Sequence, residues 1–271
     1  MQRRLVPWRL IDTGPGDGAT NMAVDEALLE NFDPVISSPV LRLYGWEPAA
    51  LSIGRFQKAA EVLDLARCAA CGVAVVRRIT GGGVIFHADE LTYALVCAPG
   101  QIPPAPSVKE SFRVLTAFLL RFYRRLGLNP LYAADAATDG SRLGARHPFC
   151  FAGRESYDIL IDGEKIGGNA QRRLKAAIFQ HGSVPLLDRS PEGRGYLLDP
   201  STARGAAAGS LAGAGVNLPA AELKRCMAES FAEALGVELR PDGLSDRERA
   251  SVCRLLGEKY RDPGWNMDAP A

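Results

Sequence analysis

The chain has 271 residues, 47% of them apolar, enough for one large domain with a real buried core and a small appendage. Thirty-two basic side chains against thirty-one acidic ones leave a net charge of +1, so no global field recruits nucleic acid or an anionic membrane. The N-terminal MQRRLVPWRL lacks the apolar run of a signal peptide. No stretch reaches the roughly eighteen apolar residues of a membrane helix, and a cytoplasmic protein that uses neither membrane nor nucleic acid is expected.

WRLIDT alternates as a strand does, the Gly-rich GPGDGAT follows, and NMAVDEALLENF carries apolar residues at helical spacing with Thr20 or Asn21 as its cap. VLRLYGWEP and AALSIGRF read as two strands joined through Glu47-Pro48. Residues 61–71 predict a helix, and within it Cys68 and Cys71 form a CAAC. No second pair completes a tetrahedral metal site, and a redox CxxC sits at a helix N-terminus, so these two read as small packing residues. The six cysteines are scattered through a long chain and read as reduced thiols.

Residues 73–78 predict a β-branched strand that runs into GGG; residues 84–86 and 91–97 continue as strands. VKESFRVLTAFLLRFYRRLG is the clearest amphipathic helix, with Ser107 as N-cap and Gly127 at its end. SYDILIDGEKIGG is a hairpin turning at Asp162-Gly163, a pair suited to a type I′ turn, which sets Lys165 across from Leu160. AIFQHGSVPL supplies another strand. These elements imply an α/β (α+β) fold, a largely antiparallel or mixed sheet flanked by helices. The catalytic part spans 1–190, a Gly/Ala-rich linker 191–217, and a small, mostly helical piece 218–271.

RRITGGGVIFH raises the chemical question. A phosphate loop needs its glycines between a strand and a helix N-terminus. Here they lie between two strands, and neither GxGxxG nor GxxxxGK[ST] is present. Three glycines still let the backbone approach a ligand closely and turn sharply. Arg77 and Arg78 alternate on a strand, so one at most faces a ligand and the other is expected at the surface.

Taken in order, WRLIDTG, NMAVDEALL, LYGWEPAALSIGRFQ, RRITGGG with His87, EKIGGNAQRR and FQHGS resemble the lipoate and biotin protein ligase superfamily. The closer likeness is to its lipoate-protein ligase A and octanoyltransferase branch, over roughly residues 8–188, and KYRDPGWN is similar to the end of the same proteins' C-terminal piece. The resemblance implies the superfamily's catalytic-domain fold and a narrow acyl tunnel walled by Arg78, Gly81, Gly82, Gly83, His87, Gly168, Asn169 and His181. It implies Lys165 as the motif lysine, whose ammonium stabilises charge developing on the acyl carbonyl and lowers the pKa of a neighbouring thiol.

Two features separate the branches. Cys150, in HPFCFAGRESYDI, stands where octanoyltransferases of Bacillus-like bacteria carry an acyl-accepting cysteine, and ELTY after the glycines is similar to that class. GGG in place of GGR is the form of the ATP-dependent lipoate-protein ligases, which remain the alternative. The transferase resemblance implies octanoyl-acyl carrier protein as donor, and as acceptor a lipoyl domain such as that of the glycine cleavage H protein or a 2-oxoacid dehydrogenase E2. It implies catalysis through a Cys150 thioester with Lys165, and neither cofactor nor metal.

Overall fold

The computed structural model describes residues 6–136, 155–203 and 208–268. In chain order it runs β1 (Trp8–Gly16), α1 (Gly18–Glu30), β2 (Val40–Trp46), β3 (Ala50–Ile53), α2 (Ala59–Val62), α3 (Leu65–Ala70), β4 (Ala74–Arg77), β5 (Ile85–His87), β6 (Glu90–Cys97) and α4 (Val108–Arg125). Then come β7 (Leu131–Tyr132), α5 (Ala133–Ala136), β8 (Ile159–Ile161), β9 (Glu164–Ile166), β10 (Gly168–Arg173), β11 (Ile178–Pro185), α6 (Ser190–Arg194) and β12 (Ala208–Gly209). The last elements are α7 (Ala220–Leu235), β13 (Leu239–Pro241), α8 (Asp246–Leu255) and α9 (Pro263–Met267).

A six-stranded mixed sheet, ordered β10-β11-β6-β2-β1-β13, forms the frame. β10, β11, β6 and β2 pair antiparallel, whereas β1 runs parallel to β2 and to β13. β6 and β11 are buried along their whole length, as strands covered on both faces must be. On one face Leu41, Leu43, Tyr93 and Leu95 meet Leu115 and Phe118 of α4 and Met227 and Phe231 of α7. On the other, Val40, Tyr44, Val96 and Phe179 meet α1 and the C-terminal residues Leu255 and Tyr260. The result is a sheet between two helical layers.

Ser107 caps α4 with a reciprocal Glu110 box, and Asp162 and Gly163 both take positive φ in the turn that pairs Leu160 with Lys165, as the sequence predicts. Two local expectations fail. The cap of α1 is Asp17, whose side chain accepts from the Thr20 amide. Asn21 is buried instead and donates to the carbonyls of Gly16 and Gly45. The helix expected over 61–71 breaks at Leu63, which turns extended to bridge Leu197, and Asp64 then caps a fresh helix. Burial of Leu63 in the small core beside the β4-β3-β5 sheet outweighs helix continuity there.

β4 and β5 both pair with β3, not with each other, so the glycine stretch is a crossing loop and not a hairpin. A second small sheet, β12-β9-β8-β7, carries Lys165 on β9. No helix among the described residues is long and apolar enough to cross a membrane.

Phe231 of α7 meets Phe118 edge-on at 5.1 Å and Trp8 at 4.9 Å, which docks the C-terminal helix on the frame. Phe231→Ala is expected to cost about 3–5 kcal/mol through the cavity it leaves. Urea denaturation, with an unchanged m-value, checks this.

Candidate acyl site

Arg78 shapes the glycine loop. Its Nη2 donates to the carbonyls of Gly81 (2.9 Å) and Gly83 (2.7 Å), and its Nη1 donates to Ser52 O and Ser52 Oγ, both at 3.1 Å. One guanidinium group thus gathers the carbonyls on either side of Gly82, and Gly82 takes up the turn with φ of +100°. The loop is also pressed from behind. A Cβ on Gly54 would lie 2.0 Å from the Gly82 oxygen, so only glycine fits there.

In front of this loop lies a cavity. Arg78, Gly81 and Gly82 line it together with His87, Gly168, Asn169 and His181, so seven of the expected wall residues converge. Gly83 contributes through its carbonyl on Arg78. The rest of the wall is largely apolar or aromatic, with Met22, Tyr44, Trp46 and Ile85 prominent.

Two buried polar networks hold the wall. His87 stacks on Trp46, with centroids 3.8 Å apart and planes within 7°. Its Nε2 lies 2.7 Å from Ser52 Oγ and its Nδ1 2.8 Å from Glu90 Oε1. Thr92 donates to the same Glu90 oxygen, Ser183 Oγ donates to the other at 2.7 Å, and Trp46 Nε1 donates to Thr92 at 2.8 Å. Burial alone would raise the Glu90 pKa. The charge of His87 and the hydrogen bonds from His87, Ser183 and Thr92 outweigh it and hold the carboxyl below its usual range.

The second network centres on Asp25 of α1. Arg42 Nη1 donates to it at 2.6 Å, Tyr44 OH at 3.0 Å, and His181 Nδ1 stands 3.3 Å away. His181 Nε2 is 2.7 Å from Thr80 Oγ1, one residue before the glycines. Burial pushes the His181 pKa below the ordinary imidazole value; Asp25 opposes this, and Arg78 and His87 add to it.

Lys165 is 4% exposed and its Nζ sits 2.8 Å from Asp158 Oδ2. The same oxygen accepts the Glu155 amide at 2.7 Å, five residues after Cys150 in sequence. Lys165 is not among the residues lining the cavity; it stands two positions before the Gly167 bend that leads into Gly168 and Asn169. Asn169 Oδ1 accepts from Tyr93 OH at 2.8 Å. Cys150 falls in 137–154, outside the described residues. Among the described residues, no group of three or more His, Cys, Asp or Glu side chains is arranged to hold a metal ion.

Sequence reasoning missed Asp158, Ser52, Glu90 and Asp25. Asp158 was within reach of strand alternation, because it lies two residues from Leu160, the partner of Lys165, and so shares its face. Arg77 corrects the expectation of a surface residue: it does face away from Arg78, but it is fully buried.

The depressed His181 pKa fixes the sign of one pH effect. Below about 6.5 the unfolded chain takes up the imidazole proton before the folded one does, so stability falls as pH drops through that value. His181→Gln is expected to reduce the loss between pH 7.5 and 5.5, as read by urea midpoints at the two values.

Residues 17–231 match the lipoyl protein ligase A/B catalytic domain. Octanoyltransferase LipM of Kyrpidia tusciae is 38% identical, covering 96% of this chain and 98% of its own. Octanoyltransferase LipM of Symbiobacterium thermophilum is 37% identical with the same coverage. Among solved structures, a lipoate-protein ligase A bound with ATP is similar with a TM-score of 0.81 at 24% identity, over 98% of this chain and 99% of its own. A putative lipoate protein ligase from T. acidophilum with bound lipoic acid gives 0.80 at 23%, over 97% and 100%, a likeness of fold. With the matched domain spanning most of its length and full-length relatives above 30% identity, the chain belongs to the lipoyl protein ligase A/B catalytic domain family.

Proposed function

We propose that this protein is a cytoplasmic octanoyltransferase of protein lipoylation. It takes the octanoyl group of octanoyl-acyl carrier protein onto Cys150 and passes it to the lysine of a lipoyl domain, such as that of the glycine cleavage H protein or a 2-oxoacid dehydrogenase E2. The observation that carries octanoyl transfer is the near-full-length likeness to curated octanoyltransferases. The site supports it with an apolar-walled cavity and a buried, carboxylate-held lysine three residues before Gly168 of its wall.

The Cys150 thiolate attacks the donor thioester carbonyl, and the tetrahedral intermediate expels the carrier's thiolate, which takes up a proton. The acceptor's neutral lysine amine then attacks the Cys150 thioester; an amide forms, the amine loses a proton, and the Cys150 thiolate leaves. In both steps negative charge gathers on the acyl oxygen, where the Lys165 ammonium and the backbone amides of Gly82 and Gly83 stabilise it. Asp158 holds the Lys165 side chain in place out of bulk water. A thioester is already activated, so the reaction needs no nucleotide.

Purified protein incubated with octanoyl-acyl carrier protein and an apo lipoyl domain, without ATP, is expected to give octanoylated domain, and mass spectrometry of the intact enzyme to show one acyl adduct. Cys150→Ala should abolish both. Lys165→Met should lower kcat about 10²–10³-fold, while Asp158→Asn should lower it roughly tenfold because the ammonium stays and loses only its anchor. An undiminished rate in Cys150→Ala, or product only with free octanoate and ATP, would overturn the reading.

The cavity should also measure chain length. Each methylene withdrawn from water contributes about 0.8 kcal/mol, so a hexanoyl donor, two methylenes shorter, is expected to lose roughly tenfold in kcat/KM. Competition between the two donors checks this.

A further inference from the structure

Arg77 ends β4, one residue before Arg78, and sends its side chain to the opposite side, away from the cavity lining. Its guanidinium instead collects backbone carbonyls from two distant segments. Nε donates to Trp265 O at 2.6 Å and Nη2 to Asn266 O at 3.2 Å. Nη1 donates to Gly54 O at 3.1 Å, Arg55 O at 2.9 Å and Gln57 O.

The backbone of Arg77 is tied to the same helix. Its amide donates to Asn266 Oδ1 at 2.9 Å, its carbonyl accepts from Trp265 Nε1 at 3.2 Å, and Asn266 Nδ2 donates onward to Tyr260 O at 2.8 Å. Hydrogen bonds from a buried cation to neutral carbonyls are directional, so they fix where each carbonyl stands.

The carbonyl row 54, 55 and 57 belongs to the segment that backs the glycine loop. The Arg55 amide donates to Thr80 O at 2.8 Å, and Gly54 abuts Gly82 without room for a Cβ. A shift of this row therefore moves residues 80–82, the cavity wall.

We infer that α9 is a positioning element of the acyl site: Asn266 and the Trp265 and Asn266 carbonyls seat Arg77, and Arg77 holds the 54–57 segment against Gly82. This rests on the acyl-transfer reading for its kinetic consequence and on the geometry alone for its effect on the loop. Asn266 and Arg77 are positioning residues and touch no substrate.

The C-terminal segment has other anchors that bypass Arg77, and they supply the control. Leu255 of α8 is buried at 2% in the core shared with α1 and takes no part in the hydrogen bonds between Arg77, α9 and the carbonyl row, so Leu255→Ala lowers stability while leaving those bonds in place.

The test compares Asn266→Ala, Arg77→Lys and Leu255→Ala by amide hydrogen exchange of residues 80–84 and by steady-state kinetics with octanoyl-acyl carrier protein. The first two are expected to exchange faster at 80–84 and to raise KM about tenfold, since displacement of a binding wall by a fraction of an ångström is enough for that. Leu255→Ala should lower thermal stability at least as much and leave both readings at wild-type values, because a smaller folded fraction lowers the apparent kcat and not KM. Arg77→Ala should recover part of its KM when millimolar methylguanidinium fills the vacated space.

Unchanged exchange and KM in Asn266→Ala and Arg77→Lys, or equal changes in Leu255→Ala, would overturn the inference. If the wild-type protein turns over no octanoyl donor, the functional reading fails, and exchange at 80–84 still decides the role of α9.

Discussion

Two adjacent buried arginines set the shape of the site. Arg77 ends β4 and Arg78 follows it in extended chain, so their side chains leave on opposite sides, and each buried guanidinium, costly to remove from water, must be surrounded by acceptors. The chain supplies them largely as backbone carbonyls: Ser52, Gly81 and Gly83 on one side, and residues 54, 55, 57, 265 and 266 on the other. The glycine loop is therefore drawn around a charge of the protein's own. Within it Gly82 is held to glycine by its φ of +100° and by Arg78 Nη2, which would lie 2.8 Å from a Cβ there, whereas a Cβ on Gly81 would meet open space.

The polar groups behind the cavity follow the same logic. Asp25, Arg42, Tyr44 and His181 satisfy one another, as do His87, Glu90, Thr92 and Ser183. Buried ion pairs of this sort add little net stability over apolar replacements, yet removal of one partner strands the other. What they confer is a fixed wall. Trp46 is clamped by stacking on His87 and by its indole hydrogen bond to Thr92, so the cavity presents a surface that cannot rearrange cheaply. It also explains why α1 is buried on so many sides. Its Asn21, Asp25 and Glu26 face Arg42, His181 and Lys259 and not solvent.

Local chemistry was legible in the sequence wherever a few adjacent residues decide it. Ser107 and Glu110 announce a capped helix, and Asp162-Gly163 fixes a turn that sets Lys165 opposite Leu160. The wall residues from Arg78 to His181 were legible only through the family resemblance, since no spacing rule places Asn169 beside Tyr93. Arg77 was misread because its acceptors lie up to 189 positions away, and alternation says which side a residue faces but not what covers that side. The break at Leu63 has the same origin: its bridging partner, Leu197, is remote in sequence.

The separation of Lys165 from the cavity lining has a physical rationale. The lysine belongs to the β12-β9-β8-β7 sheet, while Gly168 and Asn169, three and four residues on, belong to the six-stranded sheet. Gly167 joins the two with φ of +80°, and a Cβ there would lie 2.1 Å from Ser183 O, so the step between sheets is pinned against the strand that also carries His181. Three residues of extended chain span only about 10 Å, which bounds the backbone separation of Lys165 from Gly168, while its carboxylate partner, Asp158, comes from the neighbouring strand region and not from the wall. In the proposed reaction, binding of the apolar chain and stabilisation of the carbonyl charge would thus rest on different sheets. Each can keep its own environment, one greasy and one ionic, because Gly167, at a φ that glycine adopts without strain, joins the two sheets.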